Sequence, residues 1–281
     1  PEAEAVIDAF LQTDMAEGCR RLTGAQAAAV CPAVRADRVA AALHSPHELR
    51  VESRQALPKL AAWLQAAHGV RFLWSTAARA VGDGVVETDR GPIRAQAVAV
   101  CPGDDLTTLF ADRIAARAVT RCKLQMLRVA PGRPLRLGAA VMSDLGLARY
   151  LGYAELPAAA ALKARLDAEQ AAARENGVHL IVVQSADGSL VVGDSHHYAP
   201  TPDPFGREDV DAIILDEMDA VLDLGDRRVT ERWIGTYASA ADWLFEDAPD
   251  ARTRLVIVTA GCGASTAFAL GEDTVAGLFG A

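Results

Sequence analysis

From Arg254 to Gly280 the chain reads RLVIVTAGCGASTAFALGEDTVAGLFG. A short, wholly apolar run is followed by two glycines one residue apart and then by a helix-like stretch. That order constrains the fold more than any other feature, because a strand buried on both faces and turning directly into a helix belongs to an α/β layer. Turns at the C-terminal ends of such strands are where α/β sheets bind ligands. The glycines let a ligand approach the backbone. The first amides of the helix, at the positive end of its dipole, favour electron-rich oxygen. As a dinucleotide fingerprint the bend is incomplete: Ser265-Thr266 closes the motif where a third glycine belongs, and no second strand with an acidic end follows. A tight strand-to-helix turn without a ligand is the commoner reading of an isolated G-x-G.

The chain has 281 residues, 51% of them hydrophobic and 23% charged, enough to bury a large core in one or two α/β domains. A net charge of −9 provides no basic stripe for a nucleic-acid backbone or an anionic membrane, so the expected partner is a small molecule. The start, PEAEAVIDAF, has neither the basic nor the apolar region of a signal peptide, and a cytoplasmic location is expected. Five cysteines without C-x-x-C spacing indicate neither a disulfide framework nor a zinc site.

Residues 3–17 read as a helix, and Thr23 with Gln26 as a capping box ahead of a second helix ended by Pro32. Residues 52–68 place Leu57, Leu60, Ala61 and Leu64 on one helical face before Gly69. Strands follow, punctuated at Gly82-Asp83-Gly84 and Asp89-Arg90-Gly91 and ending in AVAVCPG, a run typical of a strand buried on both faces. Beyond Arg113 the texture becomes antiparallel: CKLQMLRV as a strand, an Ala-rich helix from Leu156, and a hairpin about Asp187-Gly188. Val210, Ile214, Met218, Val221 and Leu222 recur at helical spacing, and RVTERWIGTY is a further strand.

The ordered set GVRFLWSTAARAV, AVAVCPG, DGSLVVGDSHHY and RWIGTY, followed by the closing bend, resembles the FAD-dependent oxidoreductases of the D-amino-acid oxidase type, which include glycine oxidase and sarcosine oxidase. HSPHELRVES, CKLQML, GDSHHY and DPF are similar to a branch associated with phosphonate breakdown. The resemblance implies an α/β (α+β) chain with a discontinuous FAD-binding domain and an inserted antiparallel-sheet substrate domain. The expected bounds are 1–44 for connecting helices, 45–112 and 239–281 for the FAD-binding domain, and 113–238 for the substrate domain. It implies non-covalent FAD beside Ala77 and Ala78 at the adenine, Cys101, Pro102 and Gly103 near the adenosine, and Gly261, Cys262, Gly263, Ala264, Ser265 and Thr266 at the flavin ring. The implied reaction is transfer of hydride from the carbon bearing an amine, with the cofactor carrying the chemistry.

His179 matches a substrate-contacting histidine of glycine oxidase-like members, and His196 and His197 are further substrate candidates. Adjacent strand residues point to opposite faces, so at most one of His196 and His197 faces a given pocket. A metal site from Asp194, His196 and His197 lacks a further spaced ligand, and none is expected. In relatives that grip an α-carboxylate, an arginine follows the W-x-G pattern. Here that position is Tyr237, which suits a differently shaped acid such as a phosphonate, with cationic help from Lys123 or Arg232. The expected substrate is a small amino acid, secondary amine or aminophosphonate. The family also opens with a strand and a G-x-G-x-x-G turn that no segment before Pro1 supplies, so a fragment is expected; the alternative is a cofactor-free small-molecule-binding remnant of the fold.

Overall fold

The computed structural model describes residues 1–280. The chain begins with α1 (Glu2–Phe10), β1 (Arg20–Leu22), α2 (Gly24–Val30), β2 (Ala42–His44) and α3 (Ser53–His68). Next come β3 (Ala78–Gly82), β4 (Val85–Thr88), β5 (Gly91–Arg94), β6 (Val98–Val100) and α4 (Ala111–Ala115). The middle holds β7 (Thr120–Ala130), β8 (Val141–Met142), α5 (Leu151–Ala154), α6 (Ala159–Glu169), α7 (Ala171–Glu175), β9 (Ile181–Gln184), β10 (Leu190–Gly193), β11 (His197–Ala199) and α8 (Glu208–Val221). The last elements are β12 (Arg228–Ser239), β13 (Leu244–Asp250), β14 (Thr253–Val258) and α9 (Gly263–Phe279). The result is the mixed α/β class that the strand and helix patterns predict. Two compact units divide it: Pro1–Leu57, Leu124–His197 and Pro204–Gly235 form the first, and Pro58–Lys123, Tyr198–Asp203 and the described residues from Thr236 onward the second.

The first unit is built on an antiparallel sheet in the order β7-β10-β9-β8. Leu190 pairs with Val129 on one side and Gln184 on the other, so the hairpin about Asp187-Gly188 forms as its turn residues demand. Leu127 and Val129 of β7 alternate inward to meet Leu180, Val182, Leu190 and Val192. Onto them α8 lays Val210, Ile214 and Met218, spaced by four, and α6 lays Leu162 and Leu166. Each such fully buried side chain contributes about 1.5–3 kcal/mol before conformational entropy is charged against it.

A buried polar knot fixes the head of α8. Gln125 Oε1 accepts the Arg207 amide at 2.8 Å, and its Nε2 donates to the Arg207 carbonyl at 2.9 Å and to Asp211 Oδ1 at 2.7 Å. Asp211 Oδ2 accepts Arg232 Nε at 2.8 Å.

Three local expectations are corrected. The first helix ends at Phe10, not near residue 17, because Thr13 donates both its amide (2.9 Å) and its hydroxyl (2.7 Å) to the Phe10 carbonyl and closes the turn. The opening segment does more than connect: Val6, Cys31 and Ala33 lie in the core of the first unit. The leucine face of α3 is only partly covered, with Leu57 71% exposed and Leu60, Ala61 and Leu64 half-buried, since periodicity reports an apolar face and not what covers it. The Thr23–Gln26 capping box forms in full.

The second unit contains a small antiparallel meander, β3-β4-β5, and a sheet in the order β13-β14-β6. Both glycine punctuations become turns of the meander. Arg252 ties the meander down by donating to the carbonyls of Ala95 (2.7 Å), Gln96 (2.8 Å) and Asp83 (3.0 Å). Val100, Ile114, Ala238, Phe245, Leu255 and Ile257 form its core. The run AVAVCPG, read as buried on both faces, is the edge strand β6 of this sheet, with Ala99 exposed. Among the described residues no helix is long and apolar enough to cross a membrane.

Candidate functional site

In the second unit β14 and β6 run parallel, Thr253 opposite Val98 and Leu255 opposite Val100. Parallel pairing sends both strands out of the same sheet edge, so the Cys101-Pro102-Gly103 turn and the bend that opens α9 emerge together. Gly103 has φ +64°, a conformation that glycine adopts without cost, and open space where a side chain would project. At the bend, Gly261, Ala264 and Ser265 are exposed, while Cys262, Gly263 and Thr266 are half-buried. The Ser265 and Thr266 amides turn back to the Cys262 carbonyl at 3.0 and 3.1 Å, and the Thr266 hydroxyl donates to the same oxygen at 3.0 Å. Gly263 and Ala264 head the helix, where an amide has no acceptor within the helix itself.

Strand β12 reaches both turns from adjacent residues. Thr236 Oγ1 donates to Asp104 Oδ2 at 2.6 Å, immediately past Gly103, and the Tyr237 ring stands beside Gly261, with Cζ 3.8 Å from where a β-carbon would sit. The bend is therefore flanked by an aromatic side chain and not filled by one. Such an arrangement presents amides and a helix dipole to an electron-rich edge, with a phenol at its side. Ala77 and Ala78 head the meander, where Ala77 accepts the Asp89 amide at 3.1 Å and donates to Asp89 Oδ1 at 3.0 Å. Neither cation expected to help Tyr237 stands bare: Lys123 Nζ lies 3.0 Å from Asp203 Oδ2, and Arg232 is bound to Asp211.

The first unit gathers a second polar group. His179 precedes β9 and Asp194 follows β10; their backbones exchange two hydrogen bonds of 3.2 Å, which sets the two side chains side by side. His179 Nδ1 lies 3.4 Å from Asp194 Oδ1, and His196 Nε2 lies 3.9 Å from Asp194 Oδ2. The two imidazole rings are 4.7 Å apart. Outside this group, Tyr150 Oη is 2.8 Å from His179 Nε2 and the Gly177 carbonyl is 2.9 Å from His196 Nδ1.

Burial raises the Asp194 carboxyl to about 7 against the opposing charge of Arg149. It lowers His179 to about 4 and His196 to about 3, with Arg149 pushing the same way. The Tyr150 phenol is raised to about 12, again by burial. His197 belongs elsewhere: its Nε2 meets Asn176 Oδ1 at 3.1 Å, in keeping with the alternation of neighbouring strand residues.

Among the described residues the group with metal-ligand spacing is thus His179, Asp194 and His196, in place of the Asp194, His196 and His197 weighed from sequence. Tyr150 was missed, because a tyrosine in an irregular segment carries no periodic signal. Asp194 was legible through its place in GDSHHY.

Comparison with known proteins agrees with this architecture. A family model described as FAD dependent oxidoreductase matches residues 1–276. The chain is similar in structure to glycine oxidase from Geobacillus kaustophilus (TM-score 0.66, 18% identity, 94% of this chain and 64% of that one). It is similar also to glycine oxidase from Bacillus cereus (0.72, 15%, 99% and 70%) and to iminodiacetate oxidase from Chelativorans sp. (0.64, 19%, 96% and 66%). The chain therefore spans 64% of the length of the first of these enzymes. No curated protein sequence matches. The family match, over nearly the whole chain and on a fold whose glycine bend stands open, establishes that the chain belongs to the FAD dependent oxidoreductase family.

Proposed function

We propose that the chain is part of an enzyme that oxidises the C–N bond of a small amino acid, secondary amine or aminophosphonate with non-covalently bound FAD. The observation that carries this reading is the open bend at the head of α9, with small residues on it and the Tyr237 ring beside Gly261. The residues fit a flavin edge: Gly261 to Thr266 leave room for a flat ring, and the Gly263 and Ala264 amides point out of the helix start. Cys101, Pro102 and Gly103, at the same sheet edge, and Ala77 and Ala78, on the meander, are the proposed contacts on the adenosine side. When bound, the flavin supplies the acceptor for hydride from the carbon that bears the amine.

This chain's own residues orient and polarise. The Gly263 and Ala264 amides would hold the pyrimidine edge of a bound flavin, where fixed dipoles favour electron-rich oxygen. Tyr237 replaces the arginine that would fork a planar carboxylate, and its phenol offers a single directed hydrogen bond. That replacement is what favours a phosphonate or another acid of different shape. In the first unit His179 and His196 are the proposed substrate residues, His197 being turned toward Asn176 instead; burial keeps His179 and His196 neutral near pH 7, so they offer lone pairs and not charge.

The test is the absorption spectrum of the purified protein, followed by a panel of glycine, N-methylglycine and 2-aminoethylphosphonate with a dye as electron acceptor. A flavin spectrum, released into the supernatant by denaturation, together with amine-dependent dye reduction is expected. A colourless protein that FAD does not reconstitute would instead identify a cofactor-free remnant.

A further inference from the structure

His179, Asp194 and His196 bring three ligating atoms within 4.8 Å of one another inside the first unit. Each imidazole is anchored by the nitrogen that faces away from Asp194. A carbonyl only accepts, so the Gly177 oxygen 2.9 Å from His196 Nδ1 places the proton on that atom and leaves the lone pair on Nε2, the atom aimed at Asp194. The Tyr150 hydroxyl, 2.8 Å from His179 Nε2, accepts or donates; when it accepts, Nε2 carries the proton and Nδ1 turns its lone pair toward Asp194.

Two of the converging atoms, His179 Nδ1 and Asp194 Oδ1, are buried and make no hydrogen bond, although they lie 3.4 Å apart. A charge-assisted hydrogen bond between them would close to about 2.7–2.9 Å. A separation of 3.4 Å is instead that of two ligands about 2.0–2.1 Å from a shared tetrahedral ion, whose ligand atoms stand about 3.3–3.5 Å apart.

We propose that His179 Nδ1, His196 Nε2 and the Asp194 carboxylate form a site for a divalent transition-metal ion of the zinc type, with a fourth position left for water or a small anion. The Gly177 carbonyl is the kind of outer partner that metal-binding histidines use to fix tautomer and ring orientation, and the Tyr150 hydroxyl orients the other ring. Arg149 is the cation whose charge reaches all three ligands. It opposes a bare dication and favours one that carries an anionic fourth ligand. The site is argued from this cluster alone, so it stands or falls separately from the flavin.

The experiment is a titration of the purified full chain with Co2+, read by visible absorption and equilibrium dialysis. One equivalent per chain with the strong bands of a four-coordinate ion is expected. Asp194→Asn and His196→Ala each lower affinity at least about 100-fold, and Tyr150→Phe about 10-fold or more, the range for an outer partner. His197→Ala keeps the full equivalent, because that ring bonds Asn176. Arg149→Met tightens binding. Zn2+ raises the melting temperature of the parent and not that of Asp194→Asn, while circular dichroism before metal addition establishes that each variant is folded. Absence of stoichiometric binding by the parent, or undiminished binding by folded Asp194→Asn, overturns the proposal and leaves a shared proton as the cluster's occupant.

Discussion

Replacing Gly261 by alanine separates the fold from the proposed cofactor contact. A β-carbon at this position meets the Tyr237 ring at 3.8 Å (Cζ) and 3.9 Å (Cε1 and Oη), ordinary van der Waals contact, and Gly261 does not have the left-handed backbone that only glycine tolerates. The folded chain therefore accepts the methyl, and we predict a stability change within about 0.5 kcal/mol, as for a surface substitution without a clash. The same methyl stands at the mouth of the bend, where a flavin edge would approach the first amides of α9. Holding that edge off costs at least one hydrogen bond to a neutral carbonyl of the oxidised ring, about 0.5–1.5 kcal/mol. That corresponds to a loss of roughly 2- to 13-fold in FAD affinity. The assay pairs a thermal melt of the cofactor-free protein with a fluorescence titration of FAD into parent and variant. Unchanged melting with weakened binding is expected. Equal FAD affinity in the two proteins would refute the assignment of the bend to the flavin, and a large loss of stability would refute the packing argument.

Two further predictions concern the first unit. Gln125→Leu takes away the Gln125 partner of Asp211 Oδ1 and of the Arg207 amide, while the Arg207 carbonyl keeps the Asp211 amide, and should cost about 2–4 kcal/mol, seen as a fall of roughly 5–15 °C in melting temperature; a fall below 2 °C would show that water replaces the knot freely. Burial raises the Glu217 carboxyl above its ordinary range, so the folded chain prefers it protonated and loses stability as pH rises from the unfolded value, about 4.3, through the folded one. Glu217→Gln should thus melt higher than the parent at pH 7.5 and no higher at pH 4, and a gain equal at both pH values would exclude burial of the charge as its cause.

Local chemistry was legible wherever one stretch of chain carried the whole signal. Thr23 and Gln26 reciprocate across three residues, Asp187-Gly188 turns a hairpin, and Val210, Ile214 and Met218 repeat at the helical period, so each element follows from its own side chains. The same holds for the strand, bend and helix at the C-terminus. What covers a face was not legible: the leucines of α3 and the run AVAVCPG have the pattern of buried elements, yet the helix is only partly covered and the strand becomes an edge.

The His179, Asp194, His196 and Tyr150 group illustrates the remaining limit. The pairing of β9 with β10 makes His179 and Asp194 neighbours across 15 positions, and a side-chain contact across 29 positions brings Tyr150 to His179. Sequence determined which segments twist into strands and helices, and that a glycine bend ends the last strand, because backbone sterics and side-chain period act within a few residues. Tertiary structure decided which polar groups meet, since a hydrogen-bond or ligand distance is fixed by strand register and by the burial that register creates.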